Sequence, residues 1–130
     1  MVTKSSKREV FIMLLKNDEK SFDLLFNTVG DYYEKNGNRT VYRFEKSKPI
    51  TGLEADYFVR FLLEKKYVIE YRITQDRGLF IAIPSLAIGP HYFSPGEFWD
   101  YKNAGRFTLE ASTEGVEQNL KLLDEFLGMV

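Results

Sequence analysis

His91 is the only histidine in a chain of 130 residues that contains no cysteine, and those two facts bound its chemistry. No two-histidine metal site can form, and no thiolate can act as ligand or nucleophile. Serine–histidine catalysis would need His91 to meet a serine in the fold, and no nucleophile-elbow pattern surrounds any serine. Flanked by Tyr92 and Phe93, His91 reads as a packed or surface residue. Carboxylate pairs such as Asp18/Glu19 and Asp124/Glu125 fall on predicted helix faces or ends, where solvated charge is the rule. Nothing in the sequence sets two of them across a cleft, as glycoside hydrolysis requires. Neither a P-loop nor a dinucleotide fingerprint occurs. The expectation is a chain with no catalytic residue, no cofactor and no metal.

The segment richest in chemistry is HYFSPGEFWDYKN, His91 to Asn103. It combines five aromatic rings with two carboxylates and turn-forming residues in a stretch of poor periodicity. One reading is structural: the rings tuck beneath a loop and seal the edge of a sheet. The other is a partner-facing loop in which Tyr92, Trp99 and Tyr101 supply anchors while Glu97 and Asp100 meet a basic target. Both hold together if Phe93 and Phe98 point inward. A second candidate surface is the acidic face of the last helix, around Glu114, Glu117, Asp124 and Glu125.

The elements that must position these residues follow from hydrophobic spacing. Ser6-x-x-Glu9 reads as a capping box ahead of Val10, Phe11, Leu14 and Leu15, with a buried strand over 10–15 as the rival. Phe22, Leu25, Phe26, Val29, Tyr32 and Tyr33 recur at helical spacing, and Asn36-Gly37 supplies a stop. Arg39 to Lys46 alternates as a strand does. Thr51-x-x-Glu54 then predicts a helix with Leu53, Tyr57, Phe58, Phe61 and Leu62 on its apolar stripe, closed by Lys65 and Lys66. Tyr67–Thr74 and Leu79–Ile83 read as strands of a tight hairpin with Gly78 at positive φ, the second covered on both faces. From Pro84 to Gly105 loop chemistry is expected. Arg106–Ala111 reads as a last strand, with Phe107, Leu109 and Ala111 facing in. Ser112 or Thr113 caps a terminal helix bearing Val116, Leu120, Leu123 and Leu127, ended by Gly128. Phe22, Phe26, Phe61, Leu62, Ile81, Leu109, Leu120 and Leu123 are the expected core.

Together these predict one domain over residues 1–130, of α+β class, with a mainly antiparallel sheet of about four strands packed by three to four helices. Its 44% hydrophobic and 28% charged residues are those of a globular protein. Eighteen basic and nineteen acidic residues leave a formal charge of -1, which disfavours nucleic acid and anionic membranes as bulk partners. No run approaches the roughly 20 apolar residues that span a bilayer. The short run after MVTKSSKREV lacks a cleavage pattern, so no signal peptide is expected. With no cysteine, the chain suits a reducing cytoplasm. Aromatic content is high at 15%; much of it is expected in the core, and Tyr and Trp are also the preferred contact residues of interfaces.

Two resemblances sharpen the choice. The order over residues 6–83, ending in helix 51–66 and hairpin 67–83, resembles a winged-helix DNA-binding domain. That implies nucleic-acid recognition by a helix whose surface nevertheless mixes Glu54, Asp56 and Glu64 with Arg60, Lys65 and Lys66. Over residues 67–127, the hairpin, the aromatic loop, the RFTLEAS strand and the EGVEQNLKLLDEFL helix resemble small immunity proteins of bacterial polymorphic-toxin and contact-dependent inhibition systems. That resemblance implies a non-enzymatic cytoplasmic protein that binds a cognate toxin domain and occludes its active site, and it carries over no individual residue. The favoured expectation is a protein-binding inhibitor. A winged-helix regulator comes second, and a small-molecule-binding α+β domain lidded by the aromatic loop third.

Overall fold

The computed structural model describes residues 14–35, 41–47, 57–63 and 67–129, with 41–47 described by backbone alone. The chain runs α1 (Glu19–Lys35), β1 (Val41–Ser47), β2 (Tyr57–Leu63), β3 (Tyr67–Asp76), β4 (Leu79–Ile88), β5 (His91–Phe93), α2 (Pro95–Phe98), α3 (Tyr101–Ala104) and α4 (Thr113–Met129). The strands form one antiparallel sheet in chain order. This is the expected α+β class. Among the described residues no helix is long and apolar enough to cross a membrane. The capping box at Ser6/Glu9, the stop at Asn36-Gly37 and the caps Thr51/Glu54 and Lys65/Lys66 lie outside the described residues.

The two long helices form as their sequences direct. At the start of α1, Asp18 accepts a hydrogen bond from the Ser21 amide at 2.7 Å, satisfying a donor that the helix itself leaves open. At the start of α4, Ser112 accepts from the Gly115 amide at 3.0 Å. A Cβ at position 115 would lie 2.9 Å from the Glu110 carbonyl oxygen, so only glycine lets the helix begin this close to the chain that feeds it. Phe22, Leu25, Phe26 and Val29 of α1 meet Val116, Leu120, Leu123 and Leu127 of α4 in one core cluster. Both helices cover the same face of the sheet, which supplies Val59, Phe61, Leu63, Ile69, Tyr71, Ile73, Ala82 and Leu86 to that cluster. Of the eight expected core residues, Leu62 and Ile81 are instead only half-buried, and Leu109 is 49% exposed. Leu62 and Ile81 occupy the alternate positions of their strands and so belong to the opposite face.

The helix expected over 51–66 is replaced, wherever the structure describes it, by strand β2. Its register opposes Tyr57 to Ile73 and Leu63 to Tyr67, and its buried residues alternate as Val59, Phe61 and Leu63. Four of its seven residues, Tyr57, Phe58, Val59 and Phe61, are aromatic or β-branched, which suits a pleated surface. The recognition helix of the winged-helix reading is therefore absent over 57–63, where an inner strand of the sheet stands. The expected strand Arg106–Ala111 is also corrected. It touches β4 through one bridge, Ile81 to Glu110, and one bond from the Ala82 amide to the Leu109 carbonyl at 3.0 Å. Thr108 finds its partners elsewhere: its amide donates to Asn119 Oδ1 at 3.0 Å and its carbonyl accepts from Asn119 Nδ2 at 2.7 Å. A side-chain amide has taken the place of a neighbouring strand.

The region read as loop from Pro84 to Gly105 is more regular than expected. β4 continues to Ile88 and turns back into β5. Pro84 is tolerated inside β4 because it falls on the outer edge between the two short partners of that strand, Glu110 opposite Ile81 and Phe93 opposite Leu86. Nor is Leu79–Ile83 covered on both faces, since Leu79 is 70% exposed.

The hairpin between β3 and β4 turns through Arg77 at φ 51° and Gly78 at φ 82°. Two consecutive positive φ values are what a tight hairpin of right-handed strands demands, and an arginine pays a steric penalty there that Asn or Gly does not. Arg77→Asn is expected to raise stability by about 0.5–1 kcal/mol. Urea denaturation reads this as a higher midpoint at unchanged slope.

Candidate partner-binding site

Residues 94–106 form a platform of two single-turn helices joined at a corner. Isolated helices shorter than ~12–15 residues are marginal in water, so each turn of this platform must be held by its side chains. In α2, Glu97 Oε1 reaches back to accept from the Ser94 amide at 2.8 Å and from Ser94 Oγ at 3.0 Å, with Pro95 at the first helical position. In α3, Asp100 Oδ1 accepts from the Asn103 amide at 2.8 Å, and the Asn103 side chain donates to Asp100 Oδ2 at 2.9 Å. These bonds hold the Glu97 and Asp100 carboxyls below their usual range, the backbone donors of Ser94 and Asn103 being the main cause. Both groups are charged at neutral pH. What they add to the platform is lost as pH falls through those lowered values.

The platform is fastened to α4 by rings and by one arginine. Phe98 packs on Phe126 at 5.0 Å between ring centres and on Phe107 at 6.2 Å; Trp99 packs on the same two at 5.3 and 6.2 Å. Arg106 makes a two-pronged pair with Glu125, at 2.8 and 3.1 Å, and donates to Asn103 Oδ1 at 2.8 Å. Its guanidinium lies 5.9 Å from the Trp99 ring centre. Asp100, Asn103, Arg106 and Glu125 are thus linked in one chain.

The sequence-based candidates separate on this frame. Tyr101 is 96% exposed and Tyr92 38%, while Phe93, Phe98 and Trp99 are half-buried. Trp99 is mainly a packing residue of the α4 junction. Glu97 and Asp100 are exposed and act as caps while presenting negative charge. On α4, Glu114 and Glu117 are exposed, Glu125 is tied to Arg106, and Asp124 accepts from the Tyr32 hydroxyl at 3.2 Å in the contact between α4 and α1. His91 is exposed on β5, its ring 6.4 Å from that of Phe93. Sequence reasoning passed over Asn103 and Arg106. Asp100-x-x-Asn103 is a legible cap, but the pairing of Arg106 with Glu125 is tertiary and leaves no local trace.

Two other surfaces carry distinctive chemistry. On the sheet face away from the helices, Glu70 is 4% exposed and lies between Arg60, at 2.8 Å, and Arg72, at 3.2 Å. The Phe58 ring sits under both guanidinium groups, and Tyr92 lies 5.0 Å from that of Arg60. Cross-strand pairing of this kind stabilises the β2–β3 ladder. At one end of the sheet, Leu14, Leu79, Ile81 and Leu109 line an apolar groove of about 440 Å³ with Lys16 and Glu110 at its walls. Among the described residues no group of three or more His, Asp or Glu is placed to hold a metal ion. Compared with protein-family models, curated proteins and solved structures, the chain matches none.

Proposed function

We propose that this chain is a non-catalytic protein-binding inhibitor, an immunity protein that acts in the bacterial cytoplasm by occluding the active site of a cognate toxin domain. The observation that carries the reading is Tyr101, a large ring 96% exposed on a turn whose caps and packing hold it in place. Exposed rings on ordered backbone lose little conformational freedom on binding, which is why Tyr is enriched among interface anchors. Charge supports the same reading. Residues 91–130 hold seven acidic and three basic side chains, whereas the chain as a whole is nearly balanced. An acidic platform beside an acidic helix suits a basic cleft, as expected of a toxin that handles phosphates. Tyr92, Tyr101, Glu97 and Asp100 make the contact, Trp99 supports it from beneath, and Glu114 and Glu117 extend it along α4.

The apolar groove favours a small-molecule reading by its size, but Leu14 and Leu79 are each 70% exposed. So shallow a site leaves a ligand largely in water, where small-molecule sites bury ~70–90% of it.

The test is titration against the protein encoded directly upstream, since an immunity gene normally follows its toxin gene. A one-to-one complex is expected. Tyr101→Ala should weaken it by ~30-fold, the equivalent of a ~2 kcal/mol hot spot. Glu97→Gln and Asp100→Asn, which keep the caps and remove the charge, should weaken it less and flatten its salt dependence. Trp99→Ala should instead lower the melting temperature. Parent-like affinity in the Tyr101, Glu97 and Asp100 variants would move the contact to Glu114 and Glu117.

A further inference from the structure

We propose that Arg106 is the positioning residue of this platform: it locks the Asp100–Asn103 turn to α4 and thereby fixes the backbone that presents Tyr101. The inference rests on the reading of Tyr101 as the anchor and adds the device that holds it. Three observations converge. First, α2 and α3 have four residues each, too few to hold a helical turn alone. Second, the only charged group that reaches from the turn to α4 through hydrogen bonds among the described residues is Arg106, which bonds Asn103 on one side and both Glu125 oxygens on the other. Third, Asn103 passes that constraint directly to Asp100, the residue preceding Tyr101.

An exposed ion pair alone contributes little to stability. Arg106 differs in geometry. Its planar fork satisfies Glu125 in two prongs and Asn103 with the same Nη1, a task that the single point charge of lysine does not reproduce. The stack on Trp99 restrains the guanidinium further. Loss of Arg106 would therefore leave the core intact and set the turn free, so that Tyr101 must be ordered anew at each encounter.

The test compares Arg106→Ala and Arg106→Lys with the parent by amide hydrogen exchange and by partner affinity. In both variants the amides of Asn103, Ala104 and Gly105 are expected to exchange about tenfold faster or more, as loss of charge-assisted hydrogen bonds implies, while β3 amides stay unchanged. Failure of lysine to restore protection separates a positioning fork from a generic surface charge. Partner affinity should fall in step with exchange. Unchanged exchange in Arg106→Ala, or full rescue by lysine, overturns the inference. So does faster exchange with parent-like affinity while Tyr101→Ala binds weakly. If Tyr101→Ala itself binds like the parent, the anchor reading fails, and with it the functional role given to Arg106; the exchange result still reports whether the latch exists.

Discussion

Leu120→Ala and Leu123→Ala are each expected to lower stability by about 2–5 kcal/mol, the range for deleting a fully buried leucine side chain where the core cannot collapse. Both side chains are 0% exposed, and both belong to the cluster that joins α4 to α1 and to the sheet. α4 is 17 residues long, and its apolar stripe has no purpose unless it is docked. Chemical denaturation measures the loss directly. The slope should stay that of the parent, because the same surface is exposed on unfolding. Parent-like midpoints in both variants would mean that α4 is not docked as described.

Asn119→Ala is expected to cost nearly as much for a different reason. Asn119 is fully buried and donates to the Tyr71 hydroxyl at 2.6 Å while pairing with both backbone groups of Thr108. Burial pushes the Tyr71 phenol well above its usual value, so it stays neutral, the Asn119 bond offsetting only part of that effect. Truncation leaves three polar groups without this partner, and each buried group so abandoned costs about 1–3 kcal/mol. Tyr71→Phe removes one end of the network and leaves Thr108 paired, so it should cost only ~0.5–1.5 kcal/mol. Equal losses in the two variants would show that Thr108 does not depend on Asn119. Hydrogen exchange at the Thr108 amide should rise in Asn119→Ala and not in Tyr71→Phe.

What was legible in the sequence follows from how one-sided each element is. α1 and α4 each bury one stripe and solvate the other, so Phe22, Phe26, Val29 and Val116, Leu120, Leu123 announce them. The hairpin was legible in its turn residues, with Gly78 at positive φ. β2 was not, because its second face carries Phe58 and Leu62. Those residues complete a false helical stripe with Tyr57 and Phe61 and hide the alternation of Val59, Phe61 and Leu63. The segment 106–111 misled because its pattern is that of a strand while Asn119, on another element, takes the hydrogen bonds of Thr108. In the candidate site, the aromatic and acidic residues stood out by type. Their division into anchors, caps and packing groups depends on Phe107, Phe126 and Glu125, which meet the platform only in the folded chain.

The proposed contact between residues 91–104 and a partner protein is tested most directly by an amide hydrogen-exchange footprint of the one-to-one complex against the free chain. Protection gained on binding should centre on Tyr92 and on residues 97–104 and extend to the exposed side of α4 near Glu114 and Glu117. The groove at Leu14, Leu79 and Leu109 and the Phe58–Arg60–Glu70–Arg72 face should exchange as they do in the free protein. A footprint confined to that groove or that sheet face, with residues 91–104 unchanged, would rule out the proposed contact.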